Sequence, residues 1–303
     1  MIDVILEIIN MLFIMAFGYF LKKIHFFKMQ TMADLNKFVF NVLFPASIGI
    51  SILKSDITSI MDVRYISYVV FLMFFVFIIC ALLGKVFSQN KGEETVMTQA
   101  MYRGNFIVMG FPMLTAVLGN EYLALGSLVL FISQFFYNIA SVSLFERLSS
   151  DTEGILSLIK KILKAPLIIS IFVGLILNIL NVHIGVLEAP ISKIGSIAST
   201  IALLTIGHNL NFEMDVSRIK KVFFVTFTKL VIGATIAIIV GHLFDISYEQ
   251  MVCSVILFGA PCAVNTYIFA QNYGVEAELA QYFVIMTTIC YMFTLPIMLS
   301  FVM

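Results

Sequence analysis

Charge is scarce in this sequence. Only 12% of its residues are Asp, Glu, Lys or Arg, while 61% are hydrophobic. A soluble domain keeps roughly a quarter of its residues charged. A chain of 303 residues with so few charges cannot cover a water-facing surface, so the composition is that of an integral membrane protein. Basic and acidic residues balance at 18 each, and no nucleic-acid partner is expected. The four cysteines, Cys80, Cys253, Cys262 and Cys290, sit in apolar runs without metal-ligand spacing. They read as buried small apolar residues. No metal and no cofactor are expected. HExxH, a Walker A sequence and an aspartate pair inside an apolar segment are all missing, so an enzyme is not expected. The start, MIDVILEIIN, lacks the basic region of a secretory signal and reads as a first membrane helix.

What is present is a series of apolar segments. A span needs roughly 20 residues. Ten such segments are found, near 2–21, 33–53, 65–86, 95–118, 122–145, 165–182, 190–210, 222–243, 250–270 and 278–301. Lys and Arg gather in the gaps after the odd-numbered segments, twelve against three on the other side: Lys54, Arg64 and Lys193. By the positive-inside rule those odd gaps face the cytoplasm and both termini face outward.

The two halves echo one another. Gly18 has a counterpart in Gly174, LNK at 35–37 in ISK at 191–193, and GFP at 110–112 in GAP at 259–261. The fold expected is an all-α membrane protein of ten transmembrane helices. Residues 1–146 form a first five-helix repeat, 147–164 a cytoplasmic linker, and 165–303 a second repeat. Five is odd, so the second copy is inverted, a recurring construction of secondary transporters.

The matched Gly-x-Pro motifs fall in the fourth and ninth segments. Glycine favours helix ends and proline helix starts, so each motif is read as a break between two half-helices, and the broken fourth and ninth helices are expected to cross each other at the midplane. Broken backbone inside a membrane is tolerated where it is buried in protein or lines a wet cavity. Half-helix N-termini there would favour an anion. Candidate site residues are therefore Gly110, Pro112, Gly259 and Pro261, with Asn105 and Asn265 as polar contacts; interhelical glue is the alternative role for each Asn. Gln134, Asn138 and Asn41 are further candidates. Lys37, Arg103 and Lys229 lie within segments, where each either serves a site or snorkels to a surface. No acidic residue lies deeper than about one turn, which weighs against an acid-based ion relay. His208 and His242 sit at segment ends.

The sequence resembles the auxin efflux carrier family, which includes plant PIN-type carriers and shorter bacterial relatives. LNKFVFNVLFPA at 35–46 is similar to the family's second-span motif, and NFIVMGFP at 105–112 to its fourth. PCAVNTYIFAQNYG at 261–274 and TLP at 294–296 resemble the ninth and tenth spans. The resemblance implies a scaffold part and a transport part that moves by an elevator-type shift, with substrate held where the broken helices cross. The middle loop is short, and the third span lacks the ionisable residues of auxin-transporting members. Both weigh towards malate, malonate or another small organic acid rather than auxin itself. The partners expected are a small organic anion, the lipid bilayer of the plasma membrane, Na+ or H+ as coupling ion, and a second copy in a homodimer. An anion channel or uncoupled facilitator is the alternative.

Overall fold

In a computed structural model of the chain, residues 2–54, 62–148, 159–160, 163–209 and 216–302 are described. Most of the expected linker 147–164 lies outside them. The described residues form helices and no strand. In chain order these are α1 (Ile2–Lys23), α2 (Met29–Phe38), α3 (Phe44–Lys54), α4 (Val63–Phe87), α5 (Lys91–Tyr102), α6 (Phe111–Leu118), α7 (Leu123–Phe145), α8 (Pro166–Ile179), α9 (Glu188–Ser196), α10 (Ala198–Asn209), α11 (Ile219–Phe227), α12 (Gly233–Phe244), α13 (Tyr248–Phe258), α14 (Asn265–Asn272) and α15 (Ala277–Leu299). Among the described residues, six helical stretches are long and apolar enough to cross a membrane: Gln30–Lys54, Val63–Phe87, Asn120–Leu148, Gly185–Asn209, Ile219–Phe244 and Ala277–Leu299. Phe106–Leu118, Pro166–Ile179 and Tyr248–Phe258 are shorter apolar helices. The protein is therefore an all-helical, multi-pass membrane protein.

Wider π turns join α2 to α3 (Val39–Leu43), lead into α6 (Phe106–Gly110) and join α11 to α12 (Thr228–Ile232). The first two stand just ahead of Pro45 and Pro112. A proline ring clashes with the carbonyl four residues earlier, here that of Asn41 or Val108. Each of those residues lies inside its π turn, where the wider winding moves the carbonyl aside.

The chain divides into two compact units, each assembled from separated stretches. The first comprises 1–62, 107–131 and 160–211. Here α1 packs along α10 at a spacing only glycine allows. A Cβ on Gly18 would stand 2.1 Å from the Leu204 carbonyl oxygen, and one on Gly207 would stand 1.9 Å from that of Met15. Small residues let apolar helices approach and gain dispersion contacts where no hydrophobic effect drives them together. Asn178 on α8 donates to the carbonyls of Ile52 and Leu53 at 2.9 and 2.8 Å, satisfying the end of α3.

The second unit comprises 63–106, 132–159 and 212–303. Tyr68 on α4 donates to the Ala237 carbonyl on α12 at 2.9 Å, and the Tyr65 hydroxyl lies 3.1 Å from Ser254 Oγ on α13. The two ends of this unit are tied separately. Lys221 pairs with Glu93 at 2.6 Å and Arg218 with Glu276 at 2.5 Å, which joins the gaps after the third, seventh and ninth segments. Arg64 pairs with Asp245 at 3.4 Å, which joins the gaps after the second and eighth.

Candidate functional site

Two helix interruptions meet inside the second unit. The first follows α5, which starts on an Asn90 side chain accepting from the Glu93 N–H at 2.9 Å and stops at Tyr102. Arg103 is already extended, with φ −87° and ψ 109°. The second follows α13, whose start is fixed by the reciprocal Ser247–Gln250 capping box and whose end is Phe258. The two open segments pair as an antiparallel bridge between Gly104 and Cys262. Asn105 N–H donates to the Pro261 carbonyl at 2.8 Å, and Ala263 N–H donates to the Arg103 carbonyl at 3.0 Å.

The bridge settles where the freed backbone groups go. Gly259 and Ala260 N–H turn back to the Val255 and Leu257 carbonyls, Pro261 has no N–H, and Cys262 N–H donates to Thr287 Oγ1 at 3.0 Å. Every donor from 259 to 263 is thus accounted for, as apolar surroundings demand. Gly104 makes the approach possible: a Cβ there would stand 2.5 Å from the Phe106 ring and 3.2 Å from the Leu257 carbonyl oxygen.

The position of the first break differs from the sequence expectation. Gly110 is helical, with φ −70° and ψ −47°, and Pro112 lies in the first turn of α6 directly after a π turn. The interruption comes earlier, at Arg103–Asn105. The π turn absorbs the proline, so Gly110 and Pro112 do not stop one half-helix and start another. At the second motif the break does span Gly259 and Pro261, but the next helix opens at Asn265, four residues after the proline.

The candidate residues divide between the units. Asn41, Gly110 and Pro112 belong to the first, where Asn41 is exposed in its π turn. Asn105, Gln134, Gly259, Pro261 and Asn265 belong to the second. There Asn105 is buried at the bridge, Pro261 is its backbone partner, and Asn265 is exposed at the start of α14. Gln134 is linked to the bridge indirectly. Asn138 Nδ2 donates to the Gln134 carbonyl and to its Oε1 at 2.7 and 3.1 Å, and Asn138 Oδ1 accepts from Arg103 at 3.3 Å.

Arg103, Lys229 and Lys37 were the ambiguous charges of the sequence. Arg103 and Lys229 do not snorkel, for they are 2% and 1% exposed. Lys37, by contrast, is exposed. The Arg103 guanidinium donates to Ser141 Oγ at 2.9 Å and to the Tyr137 carbonyl at 3.3 Å, and lies 5.9 and 5.7 Å from the Tyr137 and Phe269 ring centres. Ser141 also meets Gln99 Nε2 and the Tyr102 hydroxyl, each at 2.8 Å. Lys229 Nζ donates to the Phe258 carbonyl at 3.0 Å. Among the described residues, neither cation forms an ion pair with a carboxylate.

Tyr137 and Ser141 escaped the sequence reading. The signal was a polar stripe: Gln134, Asn138 and Ser141 are spaced i, i+4, i+7 on α7 and therefore share a face. What that face meets cannot be read from spacing.

A sequence model for membrane transport proteins, the auxin efflux carrier type, matches residues 3–153 and 152–299. The chain belongs to that family. The transporter is also similar to an uncharacterized transporter of Methanothermobacter thermautotrophicus, with 20% identity over 307 residues, covering 96% of this chain and 95% of that protein. The polar contacts around Arg103 and Lys229 are therefore the interior of a membrane transporter.

Proposed function

We propose that this transporter is a secondary carrier of a small organic anion, of the malate or malonate kind or an auxin-like acid. The observation that carries the reading is the pair of buried cations, Arg103 and Lys229, beside the bridged helix breaks and without a carboxylate partner among the described residues. An uncompensated buried charge costs several kcal/mol. Whole-protein stability is only about 5–15 kcal/mol. Two such charges are retained because an anion that arrives and leaves neutralises them, and intramembrane charges mark such sites. Arg103 uses three of the five N–H donors of a guanidinium, leaving two for a ligand.

In this reading ten transmembrane helices form two inverted repeats, and the fourth and ninth cross at the midplane. Asn105, Gln134, Asn265 and the Gly259–Pro261 backbone of the second unit line the substrate position. An elevator-type shift alternates access. The protein sits in the plasma membrane with both termini outside, and homodimerises.

The test is uptake into proteoliposomes. Radiolabelled malonate or malate should enter with saturation and be accelerated by unlabelled carboxylate on the far side. Transport of cations or neutral sugars alone would contradict the charge argument. Carboxylate flux that neither saturates nor responds to a trans gradient would make the protein a channel.

A further inference from the structure

The π turn Thr228–Ile232 brings two residues of its helix onto one atom. That atom is the carbonyl oxygen of Phe258, the last residue of α13. Lys229 Nζ donates to it at 3.0 Å, and a Cβ on Gly233 would stand 2.8 Å from it. Had α13 continued, this carbonyl would accept from the N–H of residue 262. Cys262 N–H is instead engaged by Thr287. The break therefore frees the Phe258 carbonyl, and Lys229 takes the place of the lost donor. Gly233 leaves the room for it.

The end of a helix carries the negative pole of its macrodipole as well as unsatisfied carbonyls. In transporters built on discontinuous helices, such carbonyl ends are where a coupling cation binds. Here the position holds a side-chain ammonium that is 1% exposed, has one protein acceptor, and forms no ion pair among the described residues.

We propose that Lys229 is a tethered counter-cation: its ammonium stands at the carbonyl end of the broken helix, where a mobile ion would otherwise be needed, so that anion binding and transport proceed without Na+. The inference deepens the carrier reading and rests on it for the transport step. The positioning role of Lys229 stands on the geometry alone.

The experiment compares the wild type with Lys229→Met and Lys229→Ala. Carboxylate uptake and melting temperature are measured in sodium chloride and in choline chloride at equal ionic strength. Wild-type values should agree between the two salts. The Met variant, which fills the space without charge, should lose most of its uptake. The Ala variant, which leaves a cavity as well as a bare carbonyl, should melt lower, and millimolar n-propylammonium, which restores the missing chain and charge, should raise it. Tetramethylammonium should not, and neither amine should help the Met variant. Wild-type uptake that requires Na+ overturns the proposal, as does a Met variant that transports like the wild type. A wild type that carries no carboxylate in either salt sinks the carrier reading instead. The melting temperatures and the amine rescue then still decide the role of Lys229, and absence of both effects overturns it.

Discussion

Replacing Arg103 with methionine removes a buried charge while keeping much of the side chain's bulk. The guanidinium now holds Ser141 Oγ, the Tyr137 carbonyl and Asn138 Oδ1, between two aromatic rings. If it also holds a carboxylate, the variant loses a hydrogen bond to a charged partner, worth roughly 1.5–3 kcal/mol. At 1.4 kcal/mol per factor of ten, affinity should fall about tenfold to a hundredfold. Stability should move far less. Ser141 keeps Gln99 and Tyr102 as neighbours, and the Tyr137 carbonyl still accepts from Ser141. Asn138 Oδ1 loses its Arg103 donor, at a cost of about 1–3 kcal/mol. Against that, removing an uncompensated buried cation recovers several kcal/mol of desolvation. The two nearly cancel. Arg103→Lys should fall between, since it keeps the charge and loses the planar fork. A thermal-shift titration with malonate reads both quantities, because ligand raises the melting temperature according to its affinity for the native state. A Met variant that melts several degrees lower yet binds malonate normally would refute the reasoning and make Arg103 a structural clasp.

Asn105→Ala and Asn265→Ala should each weaken carboxylate binding about tenfold with little loss of melting temperature; early melting with normal binding in the same titration would mark the residue as interhelical glue. A single cysteine at Asn120 should react with an impermeant maleimide from outside, and one at Gln89 should not; Cys80, Cys253 and Cys262 are buried and give little background. Reversed labelling would overturn the orientation; Ser149–Ser150, expected on the same side as Gln89, lies outside the described residues. At Glu93, which precedes the apolar part of its segment, burial raises the carboxyl's pKa. The Lys221 ammonium and the Gln89 N–H, at 2.6 and 2.8 Å, outweigh it and hold the group below its usual range. A depressed folded-state value means stability that is complete above the unfolded pKa, about 4.3, and lost as pH falls through the folded one. The wild-type melting temperature should therefore drop on acidification below about pH 4.3, and Glu93→Gln should flatten that drop.

Membrane character was legible in the sequence because hydropathy is a local property. A segment such as Val63–Phe87 needs no partner to be apolar, and the structure makes it one helix. Where the chain breaks was half legible. Pro261 removes a donor wherever it stands, so the interruption after Phe258 followed from local chemistry. Pro112 misled because its carbonyl clash was relieved by a π turn, and π turns leave little trace in sequence. The break at Arg103–Asn105 has no proline at all. There the backbone at Gly104 pairs with Cys262, a residue 158 positions away in the chain, and passes so close to the end of α13 that a Cβ on Gly104 would stand 3.2 Å from the Leu257 carbonyl oxygen. The same limit applied to the charges. Sequence placed Arg103 and Lys229 inside apolar segments but could not separate a snorkelling side chain from a buried one. That choice is made by what surrounds the charged end. Only the folded second unit brings the Ser141 face of α7 to Arg103 and the freed Phe258 carbonyl to Lys229, because burying a cation depends on donors and acceptors supplied by distant segments.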